Sequence, residues 1–306
     1  MKPATPDTAF SAPWVLTLGH APSSVNLTRW FKTSLTLLLV ALVLAGCGSN
    51  RFIYNRLDFI LPWYLGRYID LDRDQSRAFD TQIEALLRWH RYEELPEYTA
   101  LLDGFEASLD APVTADYLQS FSDDLELAWF RIRDRGLEEL LALGDTLSED
   151  QIEEFIESLD EQQEKYEEKY LPRSDEEYRE EAQESMVDSI EDFLGRLSRA
   201  QKDRLKEAAM ELTRSDTYWL RERAQWVRSI EDELSREPGW QDRVRDMIVN
   251  WESRLEPEVM AVYDHNSATV LEAIADILNG RSEKQDKRLR REINDLREDV
   301  LALSSQ

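Results

Sequence analysis

The chain of 306 residues has one cysteine, Cys47. No intramolecular disulfide can form, and paired-cysteine metal or redox motifs are excluded. Glycine and proline are scarce, ten of each, so there is little material for the turns of a β-rich fold. Histidine is scarcer still: beyond residue 47 only His90 and His265 remain. No His-Glu-x-x-His zinc motif, Gly-x-Ser-x-Gly elbow or glycine-rich phosphate loop occurs. Basic residues are outnumbered, 37 Lys and Arg against 63 Asp and Glu. The resulting net charge of −26 repels nucleic-acid phosphate, so no nucleic-acid partner is expected. A cationic partner or a divalent metal remains compatible with that charge.

What is present points to helices. Leu, Glu, Arg, Ala and Asp dominate, and the aromatic fraction of 10% is too high for a disordered chain. Apolar residues recur at helical spacing in Phe79, Ile83, Leu86 and Leu87. The same period runs through Ile152, Phe155, Ile156 and Leu159, and through Tyr178, Ala182, Met186, Ile190 and Phe193. It returns in Val259, Val262, Tyr263, Val270 and Ile277, closed by Asn279-Gly280 as a C-cap, and in Leu289, Ile293, Leu296 and Val300. No segment alternates like a strand. The fold class expected is all-α, a bundle of roughly seven to nine helices. Breaks are placed at Pro62, Asp110 to Pro112, Leu171 to Arg173, Glu237 to Gly239 and Glu256-Pro257. Pro172 is the candidate division between two lobes.

From Ser198 to Arg236 two readings compete. A single long helix would place Asp216 and Arg223 in an apolar seam, as a buried polar pair facing another helix. Alternatively the helix ends near Ser215-Asp216, one of which caps a new helix. The second is slightly favoured, because such residues are ordinary caps or solvent groups.

The one long apolar run precedes the cysteine. Arg29 and Lys32 lead into Leu35 to Leu44, followed by Ala45, Gly46 and Cys47. A basic region, a short apolar region and small residues make a secretory signal peptide, too short for a spanning helix of about 20 residues. Leu44-Ala45-Gly46-Cys47 resembles a bacterial lipobox. The resemblance implies cleavage before Cys47, acylation of its sulfur and new amino group, and attachment to a membrane through the acyl chains. Gly48, where Asp would resemble an inner-membrane retention signal, implies the outer membrane, on its periplasmic face. Residues 1–46 are thus set aside as a signal peptide, and residues 47–306 form the periplasmic domain. Lys2, Arg29 and Lys32 against Asp7 leave −28 for that domain. Residues 1–28 fit a signal peptide poorly, and a translation start near Val25 or Leu27 is expected.

Three places share one pattern: Leu71 to Gln75, Leu147 to Gln151 and Leu197 to Gln201, with Ser282 to Gln285 a weaker fourth. Each sets Ser or Asp three residues before Gln, the capping-box spacing. Asp72, Ser148 and Ser198 should accept from the third helical N–H, while Gln75, Gln151 and Gln201 reach back to the cap N–H. Capping alone explains these residues. The starts also resemble the Leu-Thr-x-x-Gln motif of small periplasmic helical chaperones and stress sensors.

Tyr54-Asn55, Trp63-Tyr64, Leu71 to Gln75 and Trp89-His90 to Pro96 carry a broader resemblance. It is to an uncharacterised family of Gram-negative lipoproteins defined by a domain of unknown function. It implies a helical envelope lipoprotein and no assigned active site.

The functional expectation is therefore a non-enzymatic binding, scaffolding or chaperone-like role, with an unidentified envelope protein as partner and no cofactor. Two alternatives stand beside it. A cell-wall hydrolase would use a pair of carboxylates. A divalent-metal protein would use Glu149-Asp150, Glu153-Glu154 and Asp160-Glu161. His90 and His265 lack sequence partners for catalysis and read as structural or surface residues. The crowded run Phe52 to Tyr68 is either a core-forming first helix or a segment at the membrane interface.

Overall fold

The computed structural model describes residues 49–306, with side chains from Arg51. Every regular element among them is helical. In chain order these are α1 (Ser49–Tyr54), α2 (Leu57–Leu65), α3 (Arg73–Trp89), a π-helical turn (His90–Glu94) and α4 (Leu95–Ser108). Next come α5 (Ala115–Thr146), α6 (Glu149–Tyr170), α7 (Asp175–Leu194), α8 (Arg199–Glu211) and α9 (Asp216–Glu233). The chain closes with α10 (Trp240–Val249), a 3₁₀ turn (Trp251–Arg254), α11 (Pro257–Asn279) and α12 (Glu283–Ser304).

These are more helices than the seven to nine expected. The additional ends fall where no proline announces them. Thr146 and Glu149 flank Leu147-Ser148, and Leu194 and Arg199 flank a turn at Gly195, which has φ 70°. A capping serine ends the preceding helix as firmly as proline does, because its extended backbone cannot continue the helical path. Conversely Pro62 does not break the chain: it lies inside α2. Proline there forfeits one backbone bond, a modest loss in a nine-residue helix at the surface.

The stretch 198–236 divides as the second reading has it, into α8 and α9. Ser215 stands at the N-cap of α9 but makes no side-chain cap bond. Asn279-Gly280 ends α11, yet Gly280 has φ −92° and so makes no left-handed cap. Asn279 instead clamps the α4–α5 connection. Its amide accepts from Val113 N–H and donates to Val113 C=O, both at 2.8 Å.

α5, 32 residues, is roughly 48 Å long at 1.5 Å per residue. Its ends serve different cores. Near its start, Leu118 joins Tyr178 and Ala182 of α7, Leu205 and Ala209 of α8, Ile277 of α11 and Leu289 of α12. Toward its end, Leu137 and Leu141 join Ile156 and Leu159 of α6, Val227 and Ile230 of α9, and Trp240 and Val244 of α10. Gly144 lets α10 close in: a Cβ there would lie 2.7 Å from the Trp240 ring. α1 is packed by its Tyr54, together with Leu57 and Leu95, against Val300 and Leu303 of α12. The first and last described helices therefore meet.

Candidate functional site

All three capping boxes read from the sequence are formed. Asp72, Ser148 and Ser198 accept from the N–H of Gln75, Gln151 and Gln201, and each Gln accepts from its cap N–H at 2.9 Å. The fourth, Ser282 with Gln285, is formed too. A fifth, Ser174 with Glu177, is also present. A pattern requiring Gln passes over it, although Glu serves a capping box equally well.

The glutamines do more than cap. Gln75 Nε2 donates to Gln151 Oε1 at 3.0 Å, and Gln151 Nε2 donates back to Gln75 Oε1 at 2.7 Å. Each also donates to a backbone carbonyl just before the other's cap: Gln75 to Thr146 O and Gln151 to Asp70 O. Gln201 and Gln285 form the same reciprocal pair, at 3.4 and 3.0 Å, with Gln285 donating to Arg196 O. Boxes one and two therefore lock α3 to α6, and boxes three and four lock α8 to α12. In the first pair each amide donates two bonds, one to its partner and one to a carbonyl, so these amides are spent on holding helices together.

His90 sits where α3 passes into α4 without a break. Pro96 cannot donate to the carbonyl four residues back, and its ring crowds that carbonyl. The π turn His90–Glu94 widens the helix just ahead of it, with Leu95 N–H bonding to His90 O. His90 is buried between two tyrosines: Nδ1 lies 2.9 Å from Tyr54 Oη and Nε2 3.2 Å from Tyr98 Oη. The buried Glu94 carboxylate receives both arms of Arg131, at 2.7 and 2.8 Å. Arg91 stacks 5.3 Å over Tyr54 and donates to Asn55. Burial lowers the His90 imidazole from 6.5 to about 4 and raises Tyr54 to about 12.

One neutral imidazole supplies one donor and one acceptor, which suits two hydroxyls. A protonated ring would be a buried charge with only hydroxyls beside it. Stability is thus complete above pH 6.5 and is lost as the pH falls toward 4, by about 3 kcal/mol in all. Urea midpoints measured from pH 7 to 4 should show this loss, and His90→Gln should flatten it. Equal slopes in the two proteins would refute the assignment.

The two residues that interrupt the 198–236 seam are both buried, contrary to their reading as solvent groups or caps. Asp216 accepts from Arg173 Nη2 and Arg214 Nε, each at 2.7 Å. Arg214 also donates to the carbonyls of Arg173 and Tyr170. Arg173 stacks 4.5 Å over the Tyr170 ring and pairs with Glu181. The connection through Pro172 and the break between α8 and α9 are thereby joined. Arg223 faces α6, donating to Gln163 Oε1 at 2.7 Å and to the Leu159 carbonyl, and lies 5.1 Å over Tyr166.

Among the described residues no group of three or more Asp, Glu, His or Cys converges as a metal cage would. Glu149 and Asp150 occupy the first turn of α6, where negative charge favours the helix dipole. Glu154 accepts from Asp70 N–H, and Glu161 pairs with Lys165. His265 is exposed, with Nε2 2.9 Å from the Glu211 carbonyl. Cys47 and residues 1–46, read from the sequence as a signal peptide with an extension before it, lie outside the described residues.

The chain matches a family of unknown function (DUF6279) over residues 67–259, and it belongs to that family. The matched span contains Leu71 to Gln75 and Trp89 to Pro96 but begins after Tyr54-Asn55 and Trp63-Tyr64. No curated protein and no solved structure matches the chain.

Proposed function

We propose that this member of a family of unknown function is an envelope lipoprotein. It is acylated at Cys47 and held on the periplasmic face of the outer membrane. Its helical body binds or scaffolds another envelope protein, in a chaperone-like manner, and performs no catalysis. The observation that carries the reading is Leu44-Ala45-Gly46-Cys47 at the end of the apolar run. That motif stands two residues ahead of Ser49, where the first described helix begins. Acyl chains contribute about 0.8 kcal/mol per buried CH₂, so several of them hold a protein firmly to a bilayer. Two features support binding. The buried carboxylates of Asp216 and Glu94 are already engaged by arginines, which leaves the surface for recognition. Leu127, Leu140, Met210 and Leu301 are each more than half exposed on α5, α8 and α12, available to apolar stretches of a partner.

Mass spectrometry of the protein recovered from a Gram-negative envelope tests the anchor. The expected first residue is Cys47, carrying a diacylglyceryl thioether and an acylated amino group, with Cys47→Ala left as uncleaved precursor. A free Cys47 thiol in the membrane-bound protein would overturn it. Crosslinking in intact envelopes tests the binding role, and failure to capture any envelope protein would count against a scaffold.

A further inference from the structure

The side of α1 and α2 turned away from the bundle gathers aromatic and basic groups. Phe52, Phe59 and Trp63 are 61%, 69% and 50% exposed. Among the described residues every other Phe and Trp is at least partly buried. Phe59 and Trp63, four residues apart, share one face of α2, and Arg56 and Arg67 flank that helix at its two ends. The Arg56 guanidinium lies 5.5 Å over the Phe52 ring, and that of Arg67 lies 5.9 Å over Trp63. The opposite face is committed to the core: Ile53, Tyr54 and Leu57 are buried, while Leu61 and Leu65 pack against Phe79 and Ile83. The core-forming reading of this segment holds for one face, and the other face is left exposed.

We propose that this face lies on an anionic phospholipid surface. Phe52, Phe59 and Trp63 enter the boundary between headgroups and acyl chains, and Arg56 and Arg67 engage lipid phosphates. Trp and Phe flanked by Arg make the pattern of a helix lying in the plane of a membrane interface. Charge selects the occupant. Between residues 51 and 67 Asp58 is the one acid against Arg51, Arg56 and Arg67, and with Arg51 paired to Asp299 of α12 it is Arg56 and Arg67 that face outward, in a chain whose net charge is −26. An anionic surface attracts this face and repels the acidic remainder, so docking also sets the orientation of the bundle. Position agrees: Phe52 follows Cys47 by five residues in the chain. For that proximity the proposal rests on the acyl-anchored reading.

The full, processed protein is placed in phosphatidylglycerol-containing vesicles and in pure phosphatidylcholine vesicles, and amide hydrogen exchange is followed. Exchange over residues 51–68 should slow about tenfold on the anionic vesicles, with α12 unchanged as the folding control. Phe59→Ala with Trp63→Ala should abolish the protection, and Arg56→Glu with Arg67→Glu should remove its dependence on phosphatidylglycerol. Equal exchange on the two vesicle types overturns the proposal, as does protection that appears only when envelope proteins are added. Acylation is read separately from the mass of the same samples. Protection without acylation would overturn the anchor alone, and acylation without protection would overturn the docked face alone.

Discussion

Replacing Asp216 with Ala should lower the stability of the bundle by about 3 kcal/mol, a fall in melting temperature of roughly 6–12 °C for a body of this size. The carboxylate is only 5% exposed and receives Arg173 and Arg214. Its removal leaves Arg173, itself 8% exposed, with Glu181 as its remaining carboxylate, and Arg214 with the more distant Asp175. Removing one partner of a buried pair costs about 3–5 kcal/mol, because the stranded charge stays desolvated. Glu181 and Asp175 keep this case at the lower end. Tyr178 and Ser215, hydrogen-bonded at 3.0 Å beside the node, hold the same junction and should limit its collapse. Thermal melts of the two proteins check it, and a loss under about 1 kcal/mol would mean that water already screens the cluster.

Gln75→Glu should cost about 3 kcal/mol, whereas Glu177→Gln should leave the denaturation midpoint nearly unchanged. A capping box accepts either residue, since only one side-chain oxygen is needed to receive the cap N–H. Glu177 shows this: it caps through Ser174 N–H at an exposed site. Gln75 is buried, and its Nε2 faces two oxygens, Thr146 O at 2.8 Å and Gln151 Oε1 at 3.0 Å. A carboxylate there would place oxygen against oxygen with little water to relieve it. Its folded pKa would rise above the ordinary value of about 4.3. A raised folded pKa means that stability falls as pH rises through that ordinary value and recovers on acidification. Denaturant titrations at pH 7 and pH 4.5 should therefore show the variant's deficit shrinking at the lower pH. A deficit absent at pH 7 would reduce Gln75 to a cap alone.

The sequence by itself determined the helical class, most of the buried stripes and the capped helix starts. Phe79, Ile83, Tyr178, Leu289 and Val300 are buried as their spacing requires. Asp72, Ser148 and Ser198 cap where they were placed. These signals are local. A stripe is written over three or four residues and a cap over three, so the chain near each residue contains the whole interaction.

Tertiary structure alone decided the pairings. Gln75 and Gln151 are 76 residues apart, and Gln201 and Gln285 are 84 apart. Nothing within either box says that its glutamine will meet another. The same holds for Asp216, whose partners are brought to it by two separate connections, and for His90, buried only once Tyr54 arrives from α1. A polar residue on a helix reads as solvent-facing until the neighbouring helix is known. Whether water or a second polar group satisfies it depends on packing between elements distant in the chain. The exposed aromatic stripe follows the same logic. The sequence placed Phe59 and Trp63 in one crowded apolar run, and only the docking of Leu57, Leu61 and Leu65 into the bundle left those two rings outside.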